Sequence, residues 1–133
     1  LTHPKVSIEP GRAISGPTTT TLYEVGTTKH IELDNGGNRH YISVDGGMSD
    51  KIRTGLYGAK YMALLANRSS NESDIQSRLV GKHCETGDII IRDLTFPSDV
   101  KPGDLIAHDF KIPRKWLTTN VVSASPSTSS AIR

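Results

Sequence analysis

The sequence predicts a mainly β domain, a small sandwich or barrel, on three observations. Short β-branched or alternating runs recur along the chain, as in Leu22-Tyr23-Glu24-Val25, Tyr41-Ile42-Ser43-Val44, Ile89-Ile90-Ile91 and Leu105-Ile106-Ala107-His108. Such residues suit a pleated, half-buried surface. Turn chemistry separates the runs: Asn35-Gly36 is the strongest short hairpin signal, and Asp45-Gly46-Gly47 and Pro102-Gly103 end other segments. At 133 residues the chain is the size of one domain and can enclose a core.

Taken in order, Lys5-Val6-Ser7-Ile8 alternates as a strand does. A strand so near the first residue, with no lead-in, reads as part of something longer. Glu9-Pro10-Gly11-Arg12 follows as a turn. Four threonines, 18–21, are poor for helix and lead into a long strand from Leu22. Residues 34–38 turn the chain into the strand 41–44. Residues 48–58 form a polar connection in which one helical turn would put Arg53 and Tyr57 on a shared face. The apolar run 61–66 is assigned as a strand, 69–77 as a polar connection, and 97–104 as a turn before the last strand at 105–108. From Lys111 onward there is no apolar periodicity. Residues 123–130 are low in complexity and expected to be disordered, with Trp116 the one residue there suited to docking.

Composition narrows the function classes. Charged residues make up 23% with a net charge of +2, and the basic residues are scattered. That argues against nucleic acid or an anionic membrane as main partner. No apolar run reaches the length of a membrane span and no signal peptide is visible. A lone cysteine cannot form an internal disulfide, which fits a cytoplasmic setting.

Three places carry chemistry. Between Leu79-Val80 and Ile89-Ile90-Ile91 lie a thiol, Cys84, a carboxylate, Glu85, and a hydroxyl, Thr86. By residue type alone a hairpin turn with an incidental cysteine outweighs a functional loop. The main-chain amides of Gly11 and Arg12 could cradle a phosphate, with the Glu9 carboxylate alongside. A tight turn with a surface ion pair explains the same residues slightly better. Arg53 and Tyr57 could grip one anion together, and a snorkelling Arg beside a half-buried Tyr is as good a reading.

Together these segments resemble the diaminopimelate decarboxylases, most closely the actinobacterial forms. The resemblance spans about residues 6–108. It rests on Glu9-Pro10-Gly11-Arg12, Leu22-Tyr23-Glu24-Val25-Gly26, Tyr41 through Asp50, Ile52-Arg53, Leu56-Tyr57-Gly58-Ala59 and Gly81 through Asp88. These motifs, all in the right order, outweigh the plainer readings above. Ornithine, arginine and carboxynorspermidine decarboxylases share the plan but fit these loops less well. A non-catalytic binding module that kept the fold is the other alternative.

The resemblance implies a fold-type III pyridoxal 5'-phosphate (PLP) enzyme: a (β/α)8 barrel followed by a C-terminal β domain. Residues 1–21 would be the end of the barrel, 22–110 the β domain, and 111–133 a tail foreign to the family. It further implies that Glu9 pairs with the pyridine nitrogen, so that the ring accepts electrons from the breaking C–C bond. Gly11 and Arg12 would contact the cofactor phosphate. Arg12, Arg53 and Tyr57 would bind carboxylates of meso-diaminopimelate, for which the planar guanidinium is suited. Cys84 and Glu85 would enter the partner subunit's site in a homodimer, Glu85 receiving the distal ammonium and Cys84 acting as catalytic acid. No metal is implied. The cofactor lysine belongs to the barrel, and none of the lysines here stands in its context, so this chain is expected to be an inactive fragment by itself. Thr86 replaces the family's Ser. Lys51 and Thr54 replace Asn and Pro, which is expected to loosen the turn carrying Arg53.

Overall fold

A computed structural model describes residues 5–109. The expected tail at 111–133 and Trp116 lie outside the described residues. Six strands form one sheet: β1 (Thr21–Glu32), β2 (Asn38–Val44), β3 (Met62–Leu65), β4 (Asp74–Val80), β5 (Ile89–Pro97) and β6 (Leu105–Asp109). Their order is β3-β6-β1-β2-β4-β5, antiparallel except for the β2–β4 pair. The sheet curls until its two edge strands, β3 and β5, touch, so the fold is a nearly closed barrel and not a sandwich. Two short helical pieces accompany it, α1 (Gly11–Ser15), continued by a 3-10 turn at Gly16–Thr18, and α2 (Arg53–Tyr57).

The core follows from alternation. Tyr23 and Val25 of β1, Ile42 and Val44 of β2, Leu79 of β4, Ile90, Leu94 and Phe96 of β5 and Ile106 of β6 point inward and are buried. The pairing register of β1 with β2 shifts between Val25 and Thr27, where Gly26 is the extra residue. This bulge reverses the alternation, so His30 comes opposite His40, and the two rings stack at 4.1 Å. His40 is buried, with neither ring nitrogen hydrogen-bonded among the described residues. Burial, and then the neighbouring His30, lower its pKa.

Two expectations need correction. Residues 6–8 form no strand, and Val6 and Ile8 are exposed. A strand needs a partner for its backbone groups, and nothing in residues 5–109 offers one there. Residues 74–77 are not a loop but the first half of β4, paired with 94–97 of β5. The inward position there is Ser77, buried with its hydroxyl donating to Ile75 O at 3.1 Å, so its polarity hides the alternation. Pro97 closes β5 at the sheet's edge, where a missing N–H is tolerated.

An ion-pair clasp closes the end of the barrel away from α2. Arg68 donates through Nε to Asp104 Oδ1 (2.9 Å), through one terminal nitrogen to Asp104 Oδ2 (2.7 Å) and through the other to Asp99 Oδ2 (2.6 Å). Asn67 Oδ1 accepts from the Leu105 N–H at 3.0 Å. The loop between β3 and β4 is thereby locked to the turn before β6. Asp104 is buried, and the Arg68 guanidinium holds its pKa down to about 2.

Asp104→Asn should lower stability, because it removes the buried carboxylate that the partly exposed Arg68 guanidinium grips with two of its nitrogens. The carboxylate has a lower pKa folded than its unfolded value of about 3.9, so its contribution is complete above ~pH 4 and lost as pH falls toward 2. His40 favours its neutral form in the fold. Its contribution is present above the unfolded pKa of about 6.5 and declines as pH drops below it. Denaturant unfolding followed from pH 8 to 3 should therefore show two successive losses, with the lower one reduced in Asp104→Asn, where Asp99 still pairs with Arg68. A flat profile would contradict both assignments.

Candidate active-site loops

At the other end of the barrel, β2 runs into Asp45-Gly46-Gly47-Met48-Ser49-Asp50. Asp45 is tied to β1 twice: its N–H donates to Glu24 O at 3.1 Å, and its Oδ1 accepts the Glu24 N–H at 2.9 Å. The Tyr23 ring lies where a side chain at position 46 would stand, so only glycine fits. Its hydroxyl donates to the Asp50 carboxylate, which also accepts the Gly47 N–H at 2.8 Å. Burial, and then the Asp50 contact, push the Tyr23 phenol well above its ordinary range, so it stays a donor.

The loop joining β4 to β5, residues 81–88, packs against this turn through the buried side chain of Asp88. Asp88 Oδ1 accepts the Met48 N–H and Oδ2 accepts the His83 N–H, both at 2.6 Å. The carboxylate occupies the space that a side chain at Gly81 would need, and it would lie 2.8 Å from a Cβ at Gly47. Two more bonds join the same segments: Lys82 N–H to Gly46 O at 3.0 Å, and Ser49 Oγ with His83 Nε2 at 2.9 Å.

The helical turn α2 sits against the same loop. Gly55 faces Gly87, and a Cβ at Gly55 would lie in ordinary contact with Gly87 O at 3.5 Å. Thr54 is buried, and its hydroxyl donates to Ile90 O at 2.7 Å. The substitution expected to loosen this turn therefore supplies a tether. Gly58 ends α2 with φ +60°, and its N–H bonds back to Thr54 O at 3.1 Å. Arg53 and Tyr57 do share a face, the guanidinium lying 5.5 Å from the ring centroid. Arg53 Nε is buried with no hydrogen-bond partner among the described residues, while Tyr57 is exposed.

Cys84 and Glu85 are both exposed on the 81–88 loop, beside α2. The structure thus places Arg53, Tyr57, Cys84 and Glu85 on two elements that touch. Glu9 and Gly11 are exposed as well, with Arg12 following in the first turn of α1, but α1 packs only against the 3-10 turn after it. The described residues do not bring that segment to the other four. Of three residues that organise the site, Asp88 and Tyr23 were not singled out from sequence, and Thr54 was noted there only as a change expected to loosen its turn. The signal for Asp88 was its place in Gly81-Lys82-His83-Cys84-Glu85-Thr86-Gly87-Asp88, where glycines leave room for a buried carboxylate.

Residues 17–109 match the family described as pyridoxal-dependent decarboxylase, C-terminal sheet domain. The chain belongs to that family. Among curated relatives, it is 58% identical over 107 residues to diaminopimelate decarboxylase of Mycobacterium tuberculosis H37Rv, covering 80% of this chain and 24% of that protein. To the Bacillus subtilis enzyme of the same name it is 48% identical over 104 residues, covering 78% and 23%. The chain thus spans about a quarter of these relatives' length. Among solved structures it is similar to diaminopimelate decarboxylase from Helicobacter pylori complexed with L-lysine, with a TM-score of 0.52 and 27% identity over 68% of this chain and 20% of that one. The M. jannaschii enzyme in co-complex with L-lysine gives 0.55 and 26%, over 68% and 19%. Membership of the family brings pyridoxal phosphate with it as cofactor. No helix among the described residues is long and apolar enough to cross a membrane.

Thr54→Val keeps the shape of the side chain and removes its hydroxyl, leaving Ile90 O without that donor. Stability should fall by about 1–3 kcal/mol, the cost of a buried hydrogen bond broken on one side. Equilibrium unfolding of the two proteins measures this directly, and an unchanged midpoint would show that the tether contributes nothing.

Proposed function

We propose that this chain is the sheet-domain portion of a cytoplasmic diaminopimelate decarboxylase, which converts meso-diaminopimelate to L-lysine and CO2 with sites shared across a homodimer. The observation that carries the reading is the packing of α2 on the 81–88 loop. A guanidinium whose buried Nε has no hydrogen-bond partner among the described residues stands on one element, and an exposed thiol and carboxylate stand on its neighbour. The L-lysine held by the Helicobacter pylori and M. jannaschii relatives supports the substrate class.

The residues of this chain fit one edge of a pyridoxal phosphate site. Gly11 has φ +32° and no atom within 4 Å of the position a Cβ would take, so a phosphate can approach the amides of Gly11 and Arg12 closely. Glu9 is exposed two residues earlier, and a carboxylate is the group that keeps a pyridine nitrogen protonated. The lysine that carries the cofactor is expected in the part of the relatives this chain does not span. When bound, the cofactor supplies an acceptor for the electron pair of the breaking C–C bond.

The chain's own residues then have distinct tasks. Arg53, with the Tyr57 hydroxyl, binds a substrate carboxylate, its planar fork matching the two oxygens, and Arg12 is assigned to the substrate carboxylates from its own segment in the assembled enzyme. Glu85 receives the distal ammonium and so distinguishes a diamino acid from shorter substrates. Cys84 Sγ–H gives its proton to the carbon that loses CO2, and the thiolate regains one from water. Both loop residues serve the partner's site.

In a full-length decarboxylase carrying these residues, Arg53→Ala should raise KM at least about tenfold, since a charge-assisted hydrogen bond contributes about 1.5–3 kcal/mol. Cofactor absorbance should not change. An unchanged KM with lost absorbance would reassign Arg53 to the cofactor. The 133-residue chain, mixed with pyridoxal phosphate and diaminopimelate, should release no CO2 above a protein-free control. Turnover there would show that the missing portion is not needed.

A further inference from the structure

We infer that Asp88 is the positioning residue for the Cys84–Glu85 loop, acting through two main-chain amides and touching no substrate. The inference rests on the role proposed for that loop. Asp88 is 3% exposed, and no basic side chain pairs with it among the salt bridges of the described residues. Its charge is met by the N–H groups of Met48 and His83, one on each of its oxygens. A carboxylate buried in this way is anchored strongly, because each bond is charge-assisted and lies in a low dielectric.

The two amides belong to different loops, and His83 is the residue directly before Cys84. The carboxylate therefore sets the distance between the 45–50 turn and the start of the thiol-bearing segment. The main chain of Asp88 adds a second constraint. Its N–H donates to Glu85 O at 3.0 Å, and its carbonyl accepts from Gly81 N–H at 2.9 Å. One residue thus grips the loop at Gly81, His83 and Glu85. Glycines at 47 and 81 leave the carboxylate room, and any side chain at 81 would displace it.

Asn is close to the same shape but cannot do the same work. It has one acceptor oxygen and one NH2 group, so either Met48 or His83 would face a donor at hydrogen-bond distance. The loop should shift on that side while the sheet below it, held by Leu79, Ile90 and Ile91, stays in place.

The test uses the full-length enzyme carrying this segment, with Asp88→Asn, Cys84→Ala and the wild type side by side. Asp88→Asn should cut kcat at least about tenfold with unchanged cofactor absorbance, and should change the rate at which an aromatic disulfide reagent labels Cys84 in the folded protein about fivefold or more. A purely stabilising role would lower the melting temperature and leave the labelling rate and kcat of the folded fraction as they were; that result overturns the inference. Hydrogen exchange on the wild-type enzyme gives a second reading that needs no variant. The Met48 and His83 amides should exchange far more slowly than that of Thr86, and equal rates would overturn the inference even if Asp88→Asn failed to fold. Full activity in Cys84→Ala would instead overturn the role proposed for the loop, which separates the two failures.

Discussion

The candidate-site end of this domain depends on a buried carboxylate that no cation pairs with among the described residues. The carboxylate of Asp88 is held by amides from two loops distant in sequence, at 2.6 Å each. Burying a carboxylate is costly unless its lone pairs are met, so the surroundings must be built to meet them. That requirement accounts for the absence of side chains at Gly47 and Gly81, and for the course of both loops around it. It also accounts for their order: two exposed functional groups, Cys84 and Glu85, stand on a loop that is anchored immediately before and after them. Anchoring of that kind is what a site needs when the reacting partner is brought from outside the chain.

The rest of the sheet divides the labour between two ends. One is closed by apolar packing and the Arg68 clasp, where a bidentate guanidinium on Asp104 fixes the β3–β4 loop. The other is left polar, with Tyr23, Asp50, Asp88 and Thr54 satisfied by main-chain groups and each other. Rigidity at the first end lets the second carry exposed groups without losing its geometry. α2 has only five residues and would not persist alone; the Thr54 tether and the left-handed Gly58 hold it.

Most of the architecture was legible because alternation and turn chemistry agree. β2, the Asn35-Gly36 turn, the one-turn helix carrying Arg53 and Tyr57, and β6 all stand where period and turn residues put them. The misses have physical causes. The first half of β4 was hidden by Ser77, a polar residue in an inward position whose hydroxyl is satisfied locally. Residues 6–8 have the pattern of a strand but no neighbouring strand within the described residues. The family was legible from its motifs, and the candidate residues came with it. The support did not: Asp88 was passed over and Thr54 was expected to loosen its turn, because both act through backbone atoms that only the fold brings near.

The central claim is that the loop held by Asp88 serves a site on another subunit. It is tested by mixing two full-length variants, one lacking the cofactor lysine and one carrying Cys84→Ala. Each homodimer alone should be dead, since every site would lack either lysine or thiol. In a mixed dimer one site has both and the other has neither. Random exchange makes about half the dimers mixed with one working site in two, so about a quarter of wild-type activity should return. If subunit exchange is verified by mass and activity stays at the level of the separate variants, the loop serves its own subunit and the shared site is wrong.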